Sequence, residues 1–157
     1  MKKIIALICV LLAFTSVFFA GCRSTDNVQI DVNELAGRLL NELEYEDEMV
    51  EIEFDVLDKF YVIDTSVIKS CKVYKSSSGA TAEEIAVFEA KTANDVDVIK
   101  NAVRQRVEDL EFNFKDYIPK ELDKIEKAQA AVIGKYVVLF IVNDYDAAKS
   151  IVNEYIK

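Results

Sequence analysis

The side chains most able to take part in chemistry gather in one short stretch rich in serine. It holds small polar residues around a glycine: Ser76, Ser77, Ser78, Gly79, Ala80 and Thr81. Backbone amides near Gly79 could form an anion-binding nest, with the hydroxyls as further donors. A serine nucleophile with Lys75 or Lys91 as its base is a second interpretation, and an exposed hairpin loop is a third. The stretch lacks the spacing of a phosphate-binding P-loop, so it does not predict nucleotide binding.

A second cluster is a run of carboxylates: Glu42, Glu44, Glu46, Asp47, Glu48, Glu51, Glu53 and Asp55. Such a run could bind calcium or a cationic partner, although it lacks the pattern of an EF-hand loop. It is also the only source of paired carboxylates for glycoside hydrolysis. A chain without tryptophan or histidine has little with which to hold a sugar. A solvated, mutually repelling surface is therefore the simpler interpretation.

The residue types that are missing exclude several kinds of site. The chain has 0 histidines, so no Ser-His or Cys-His catalytic pair and no histidine-ligated zinc site can form. We predict no metal and no small-molecule cofactor, and we assign no catalytic residue. Any catalysis would have to use carboxylates, lysines, tyrosines or hydroxyls.

The amino-terminal segment is organised as an export signal. Lys2 and Lys3 precede an apolar run from Ile4 to Ala20, which is typical of a secretory signal peptide. The following residues Phe19-Ala20-Gly21-Cys22 resemble the lipobox of bacterial lipoproteins. That resemblance implies cleavage before Cys22, a diacylglyceryl group on its thiol and a further acyl chain, such as palmitate, on the new amine. An ordinary signal peptide and an uncleaved membrane anchor are the alternatives.

This interpretation divides the chain into a signal peptide (1–21), a polar tether (22–30) and one domain (31–157). It predicts a lipid-anchored protein on the extracytoplasmic face of the cell membrane. Loss of Lys2 and Lys3 from 19 basic and 28 acidic residues would move the net charge from −9 to −11. Phosphates would repel so acidic a chain, so we expect no nucleic-acid partner and anchoring by lipid rather than by a basic patch.

Cysteine usage leaves the domain without a disulfide. Cys9 would leave with the signal peptide and Cys22 would be alkylated, so Cys71 has no partner. We predict that Cys71 is a small buried hydrophobic residue. A reactive thiol, with Lys69 and Lys72 to lower its pKa, is the alternative.

Hydrophobic periodicity predicts the elements of the domain. A helix capped by Asp31 comes first, followed by an acidic loop. Residues 53–64 fit either a strand, from the alternation of Ile52, Phe54 and Val56, or a short helix, which we favour. A hairpin spans residues 68–90, with the serine-rich loop at its turn, and a long helix covers residues 95–114. A second hairpin turns at Gly134-Lys135, and a final helix covers residues 145–156.

These elements define an α+β fold. We predict an antiparallel four-stranded sheet, made of two hairpins, with helices packed mainly on one face. Aromatic and aliphatic side chains end the long helix: Phe112, Phe114, Tyr117 and Ile118. We expect them to pack in the core, whereas an exposed patch would indicate a protein-binding surface.

Two stretches carry a second resemblance. They are "YKSSSGATAEEIAVFEAK" and the strand "GKYVVLFIVND", which follows "FKDYIPKELDKIEKA". The chain resembles, most specifically in these stretches, bacterial lipoproteins that carry domain of unknown function 4358 and come mostly from Gram-positive bacteria. The resemblance covers residues 31–157 and implies the organisation above, but no activity and no functional residues. We therefore expect a non-enzymatic binding or accessory module that contacts an envelope protein or a wall component. A small envelope enzyme using carboxylates or a Ser-Lys pair is the alternative.

Overall fold

The computed structural model of the protein describes residues 28–156. The predicted signal peptide, Cys22 and the tether up to residue 27 lie outside the described residues. Within residues 28–156, none of the helices combines the length and the apolar character that a membrane crossing requires.

The described part of the chain alternates between helices and short strands. In chain order these are α1 (Val32–Glu42), β1 (Met49–Glu51), β2 (Ile68–Ser76), β3 (Glu84–Ala90), α2 (Val96–Phe114), α3 (Leu122–Lys127), β4 (Ala131–Ile133), β5 (Tyr136–Ile141) and α4 (Tyr145–Asn153). Short 3-10 helices occupy Phe54–Lys59, Thr65–Val67, Ala93–Asp95, Pro119–Glu121 and Glu154–Ile156. The predicted short helix before β2 is thus confirmed as a 3-10 helix.

The strands form one antiparallel sheet in the order β1-β2-β3-β5-β4. The prediction of four strands is wrong, because β1 lies within the acidic segment that we expected to be a loop. Val50 of β1 pairs with Lys75 of β2, so the strand depends on a partner 25 positions away. Three residues are too few to show the alternating pattern that marks a strand in sequence.

Helices cover both faces of the sheet, so the prediction of one covered face is also wrong. α2 and α3 pack on the face that carries Ala86 and Phe88, and α1 and α4 pack on the face that carries Ile85 and Val87. Every residue of β3 and β5 is buried. A strand buried on both sides has no polar face, which is why β5 reads as a continuous apolar run. β3 is apolar only between and after its two buried glutamates, Glu84 and Glu89.

The helix boundaries follow from local hydrogen bonds, as predicted. The Asp31 carboxylate accepts hydrogen bonds from the amides of Asn33 (2.8 Å) and Glu34 (3.2 Å), which satisfies donors that the first turn leaves free. The backbone amide of Thr92 donates to Asp95 (2.9 Å) ahead of α2. Each of these caps fixes where a helix begins without any help from distant residues.

Candidate functional site

The serine-rich loop joins β2 to β3, and its donors already hold an anion from the same chain. The Asp47 carboxylate accepts hydrogen bonds from the Ser76 hydroxyl and from both the amide (3.0 Å) and the hydroxyl (2.6 Å) of Ser78. Gly79 adopts a positive φ of 72° in the loop, a conformation that glycine takes without strain. Asp47 thus takes up the Ser76 and Ser78 hydroxyls and the Ser78 amide, while the Gly79 amide donates to the Ser76 hydroxyl oxygen (3.1 Å).

Asp47 is a weak proton acceptor in this setting. Hydrogen bonds from Ser76, and then from Ser78, stabilise the ionised form and hold the pKa of the Asp47 carboxyl well below its usual range. The Lys75 ammonium donates to the backbone carbonyl of Ser76 (2.8 Å), not to its hydroxyl. Lys91 follows β3 at the opposite end of the sheet. The arrangement thus lacks the base that a Ser76 nucleophile would need.

A buried carboxylate lies directly beyond the loop, at Glu83. Its side chain is 0% exposed and accepts hydrogen bonds within 3.2 Å from four donor groups: the amides of Glu46 and Asp47, the Thr81 hydroxyl and the Asn143 side-chain amide. Burying a charged carboxylate costs free energy, and hydrogen bonds to both of its oxygens offset that cost. Glu83 therefore ties the start of the acidic run to the ends of β3 and β5.

A second buried carboxylate, Glu121, shares a counter-ion with Glu83. The Lys124 ammonium lies 3.0 Å from Glu121 Oε2, 3.6 Å from Glu83 Oε1 and 3.0 Å from Glu46 Oε1. Burial lowers the pKa of Lys124, but hydrogen bonds to Glu121 and Glu46 outweigh it, so the pKa is raised. We call Glu46, Glu83, Glu121 and Lys124 the lysine cluster.

One oxygen of the lysine cluster stays without a partner. Glu121 Oε2 accepts from the Ala82 amide (2.9 Å) as well as from Lys124, whereas Oε1 is buried and has no hydrogen-bond partner among residues 28–156. The ammonium of Lys120 lies 3.9 Å from Oε1. The paired carboxylates that a glycosidase would need are thus present, but they are closed off from a substrate by backbone and by Lys124.

A further buried ion pair joins Glu84, at the start of β3, to Arg106 of α2. Arg106 of α2 binds Glu84 through Nη2 (2.6 Å) and through Nε, which is 3.1 Å from each carboxylate oxygen. The Tyr61 hydroxyl donates to Glu84 Oε1. Burial, and then the charge of Glu84, raise the pKa of Tyr61 well above its usual value. We missed this triad in the sequence, although Arg106 falls three residues after Val103 on the packing face of α2.

A small pocket opens between the loop and α2, next to both ionic groups. Its volume is about 130 Å³. It is lined by Phe60, Lys75, Ser76, Gly79, Thr81, Ala82, Glu83, Glu84, Arg106, Leu110 and Phe114. Of the candidate loop residues, Ser76, Gly79 and Thr81 line this loop pocket, whereas Ser77 and Ser78 do not.

A larger groove, of about 710 Å³, lies at the opposite end of the sheet, where the described chain begins at Val28. Its charged groups all have partners within the described chain. Glu89 lies 2.8 Å from the Lys69 ammonium and 3.4 Å from that of Lys135. Because these charges are already satisfied, we take the smaller loop pocket as the candidate site.

The remaining candidate residues have structural surroundings. Burial, and then the charge of Glu51, raise the pKa of the half-buried Cys71 thiol to about 11, and Lys72 binds Glu51 instead of activating it. Carboxylates of the acidic run pair with distributed partners, for example Glu42 with Arg38. Within residues 28–156, no three carboxylate or thiol residues are arranged to hold a metal ion.

The aromatic end of α2 divides between core and surface. Phe114 is buried and Ile118 packs against the same core, as expected. Phe112 and Tyr117 are 68% and 72% exposed, so the prediction that they pack in the core is wrong. The Lys115 ammonium lies 4.5 Å from the centroid of the Phe112 ring.

The fold and the site together define an α+β domain with one antiparallel sheet between two helical layers and a charged pocket at one sheet end. Residues 41–142, about two thirds of the chain, match the family model described as Domain of unknown function (DUF4358), and the chain belongs to that family. The matched region contains the loop, the lysine cluster and the Glu84–Arg106 pair. No curated protein and no solved structure matches the chain.

Proposed function

We propose that the protein is a lipoprotein of a bacterial, typically Gram-positive, cell envelope. Cys22 carries the lipid and holds the domain at the extracytoplasmic face of the membrane. The domain acts as a non-enzymatic binding or accessory module for an envelope protein or a wall component. The lipobox-like residues Phe19 to Cys22 support the anchor, and two acyl chains would hold a strongly acidic domain that phospholipid does not attract.

The position of the loop pocket is the observation that favours a binding module. The described chain begins at Val28, beside Lys69 and Tyr136 at one end of the strands. The loop pocket lies at the other end, where β2 stops and β3 starts. β3 spans seven residues, or roughly 20 Å at about 3.4 Å per residue. A tether at the first end therefore presents the pocket away from the membrane.

The enzyme alternative receives less support. A hydrolase needs carboxylates or a nucleophile that face a substrate-sized cleft. Glu83 and Glu121 are buried under backbone and Lys124, and the Ser76 hydroxyl bonds to Asp47, whose pKa is lowered. The loop pocket, at about 130 Å³, is smaller than the 300 Å³ or more that is usual for a ligand-sized cleft.

Site-specific cross-linking in the native envelope tests this function. A photoreactive residue replaces the exposed Ser77 at the loop, and a matched one replaces the exposed Lys149 on α4. We expect a discrete envelope product from position 77 and none from position 149. With Cys22→Ser added, the chain should lose its lipid and its membrane retention, and the product should disappear. Unchanged retention would contradict the anchor, and equal products from both positions would contradict the binding surface.

A further inference from the structure

We propose that the loop pocket binds the carboxylate group of a small monoanionic ligand, held between Arg106 and Lys75. This inference rests on the proposed function, because it names the ligand chemistry of the same site. Neither a metal nor a covalent step is needed. The ligand would reach the pocket from solvent at the end of the domain that faces away from the tether.

Arg106 lines the pocket and keeps one edge of its guanidinium group unbonded within the described chain. Nε and Nη2 bind Glu84, whereas Nη1 makes no hydrogen bond with any residue in the described part of the chain. Arg106 is 14% exposed at its side chain and lines the pocket. Glu84 locks the guanidinium in place, so its free edge is preorganised for a carboxylate, whose two oxygens suit that planar fork.

Lys75 supplies the second cation. One of its three ammonium hydrogens bonds to the Ser76 carbonyl, and no carboxylate among residues 28–156 lies within salt-bridge distance of it. Lys75 Nζ and Arg106 Cζ lie 5.6 Å and 5.8 Å from the centroid of the Phe60 ring. Cation–π attraction to this ring limits the positions that the Lys75 ammonium and the Arg106 guanidinium can take. Because Lys75 is half-buried and has no carboxylate partner among residues 28–156, its ammonium group is available to bind an external anion.

Charge and size narrow the ligand to a monoanion. Lys75 and Arg106 bring two positive charges to the wall and Glu84 neutralises one, whereas Glu83 shares Lys124 with Glu46 and Glu121. With this excess of carboxylates beside the pocket, a monoanion is repelled less than a phosphate dianion. A volume of about 130 Å³ corresponds to roughly four water molecules at about 30 Å³ each. A carboxylate with a short side chain fills that space.

Glycine-selective NMR tests the proposal on the full chain. The sequence has 4 glycines, so protein labelled with 15N-glycine gives a spectrum that four amides account for. Gly79 lines the pocket, Gly37 lies on α1 and Gly134 lies in the β4–β5 turn. Titration with N-acetylalanine at neutral pH should shift the Gly79 signal saturably and leave those of Gly37 and Gly134 in place. N-acetylalanine amide has no charge and should leave all of these signals unmoved.

A pair of lysine variants provides the matched control. Lys75→Met removes the ammonium but keeps most of the side-chain length, and it should weaken binding at least about tenfold, as expected for loss of a charged hydrogen bond. Lys149→Met makes the same charge change on α4 and should leave the affinity unchanged. Unmoved Gly37 and Gly134 signals in both variants show that the fold is retained.

Several results would overturn the inference. These are equal shifts with the acid and the amide, a stronger response to inorganic phosphate, the absence of a saturable Gly79 shift, and equal affinity in the Lys75→Met variant. This titration needs no membrane or partner protein. Its failure therefore leaves the cross-linking result standing, and failure of the anchor in the Cys22→Ser experiment leaves the titration standing.

Discussion

Replacing Lys124 by methionine would remove the ammonium from the lysine cluster while keeping a side chain of similar length. In the native protein this ammonium lies 3.0 Å from Glu121 Oε2 and 3.6 Å from Glu83 Oε1. These two carboxylate side chains are at most 1% exposed. The substitution therefore leaves two buried negative charges without their counter-ion.

We expect Lys124→Met to lower the free energy of unfolding by about 3–5 kcal/mol, the range found when one partner of a buried ion pair is removed. A typical domain has a total of roughly 5–15 kcal/mol, so the variant would keep a folded population but with a reduced margin. Lys120→Met is the matched control, since Lys120 precedes Lys124 by one helical turn and is 67% exposed. Its 3.2 Å contact with Glu46 is a surface pair, for which we expect less than about 1 kcal/mol.

Urea unfolding followed by circular dichroism measures both losses, with an unchanged m-value as the sign that only stability has changed. The double variant Lys124→Met/Glu121→Gln should recover at least about 1 kcal/mol, because it removes one of the two uncompensated charges.

The raised pKa of Lys124 sets the pH dependence. The contribution of Lys124 to the free energy of unfolding is fully present below the pKa of an unfolded lysine, about 10.4. It is lost as the pH rises through the higher pKa of Lys124 in the folded chain. The gap between wild type and Lys124→Met should therefore close only in strong alkali.

The argument for the lysine cluster would be refuted by equal losses in Lys124→Met and Lys120→Met, or by a loss below about 1 kcal/mol for the first. A double variant no more stable than Lys124→Met would also count against it. That result would mean that the Glu121 charge is not the source of the penalty.

Two further predictions concern single titrating groups. The pKa of Asp47 is lowered in the folded chain. Its ionised carboxylate therefore stabilises the fold above the pKa of an unfolded aspartate, about 3.9, and this stabilisation is lost as the pH falls through the lower pKa of the folded chain. The 15N signal of Gly79 should therefore move in strong acid in wild type but not in Asp47→Asn, and the same acid shift in both would contradict this. The Cys71 pKa of about 11 predicts slow thiol labelling at pH 8 and faster labelling above pH 10 in a Cys9→Ser/Cys22→Ser chain. Labelling at pH 8 as fast as in urea would disprove it.

The sequence was sufficient where the determining interactions are local. The stripe from Val96 to Phe114 predicted α2, and the Thr92–Asp95 bond sets its start. The Gly134-Lys135 turn was predicted for the same reason, and Gly134 adopts a φ of 57°. In each case the deciding contacts span four residues or fewer, so the residue pattern contains the information.

The covered faces and the extra strand depend on contacts across the chain. β1 exists because Val50 lies beside Lys75, and its own three residues carry no strand signal. The layer on the second face forms because α1 packs against β2 and β3, far from it in sequence. The continuous apolar run of β5 was compatible with one covered face or with two, and only tertiary packing decides between them.

The site shows the same division. The loop from Ser76 to Thr81 was predicted as the place where polar groups gather, and its residues Ser76, Gly79 and Thr81 line the pocket. Its charged partners were missed because they come from distant segments. Glu121 meets Ala82 across 39 positions and Arg106 meets Glu84 across 22. A lone Arg in a helix or a lone Glu in a strand looks like a surface residue until its partner is known.

Glu83 and Glu84 explain why these two ionic groups occur at the loop end of the sheet. These adjacent residues bind two helices that pack on the same face of the sheet: Glu83 reaches Lys124 of α3 and Glu84 reaches Arg106 of α2. One dipeptide thus fixes two helices, the acidic segment at Glu46 and the serine-rich loop in a single arrangement. Apart from Glu121 Oε1, the carboxylate oxygens of Glu83, Glu84 and Glu121 all accept hydrogen bonds. Such a network holds its side chains in place, so the loop pocket between them is preformed. A preformed pocket loses little conformational entropy on binding, which is what a small domain needs in order to hold a ligand of only a few atoms.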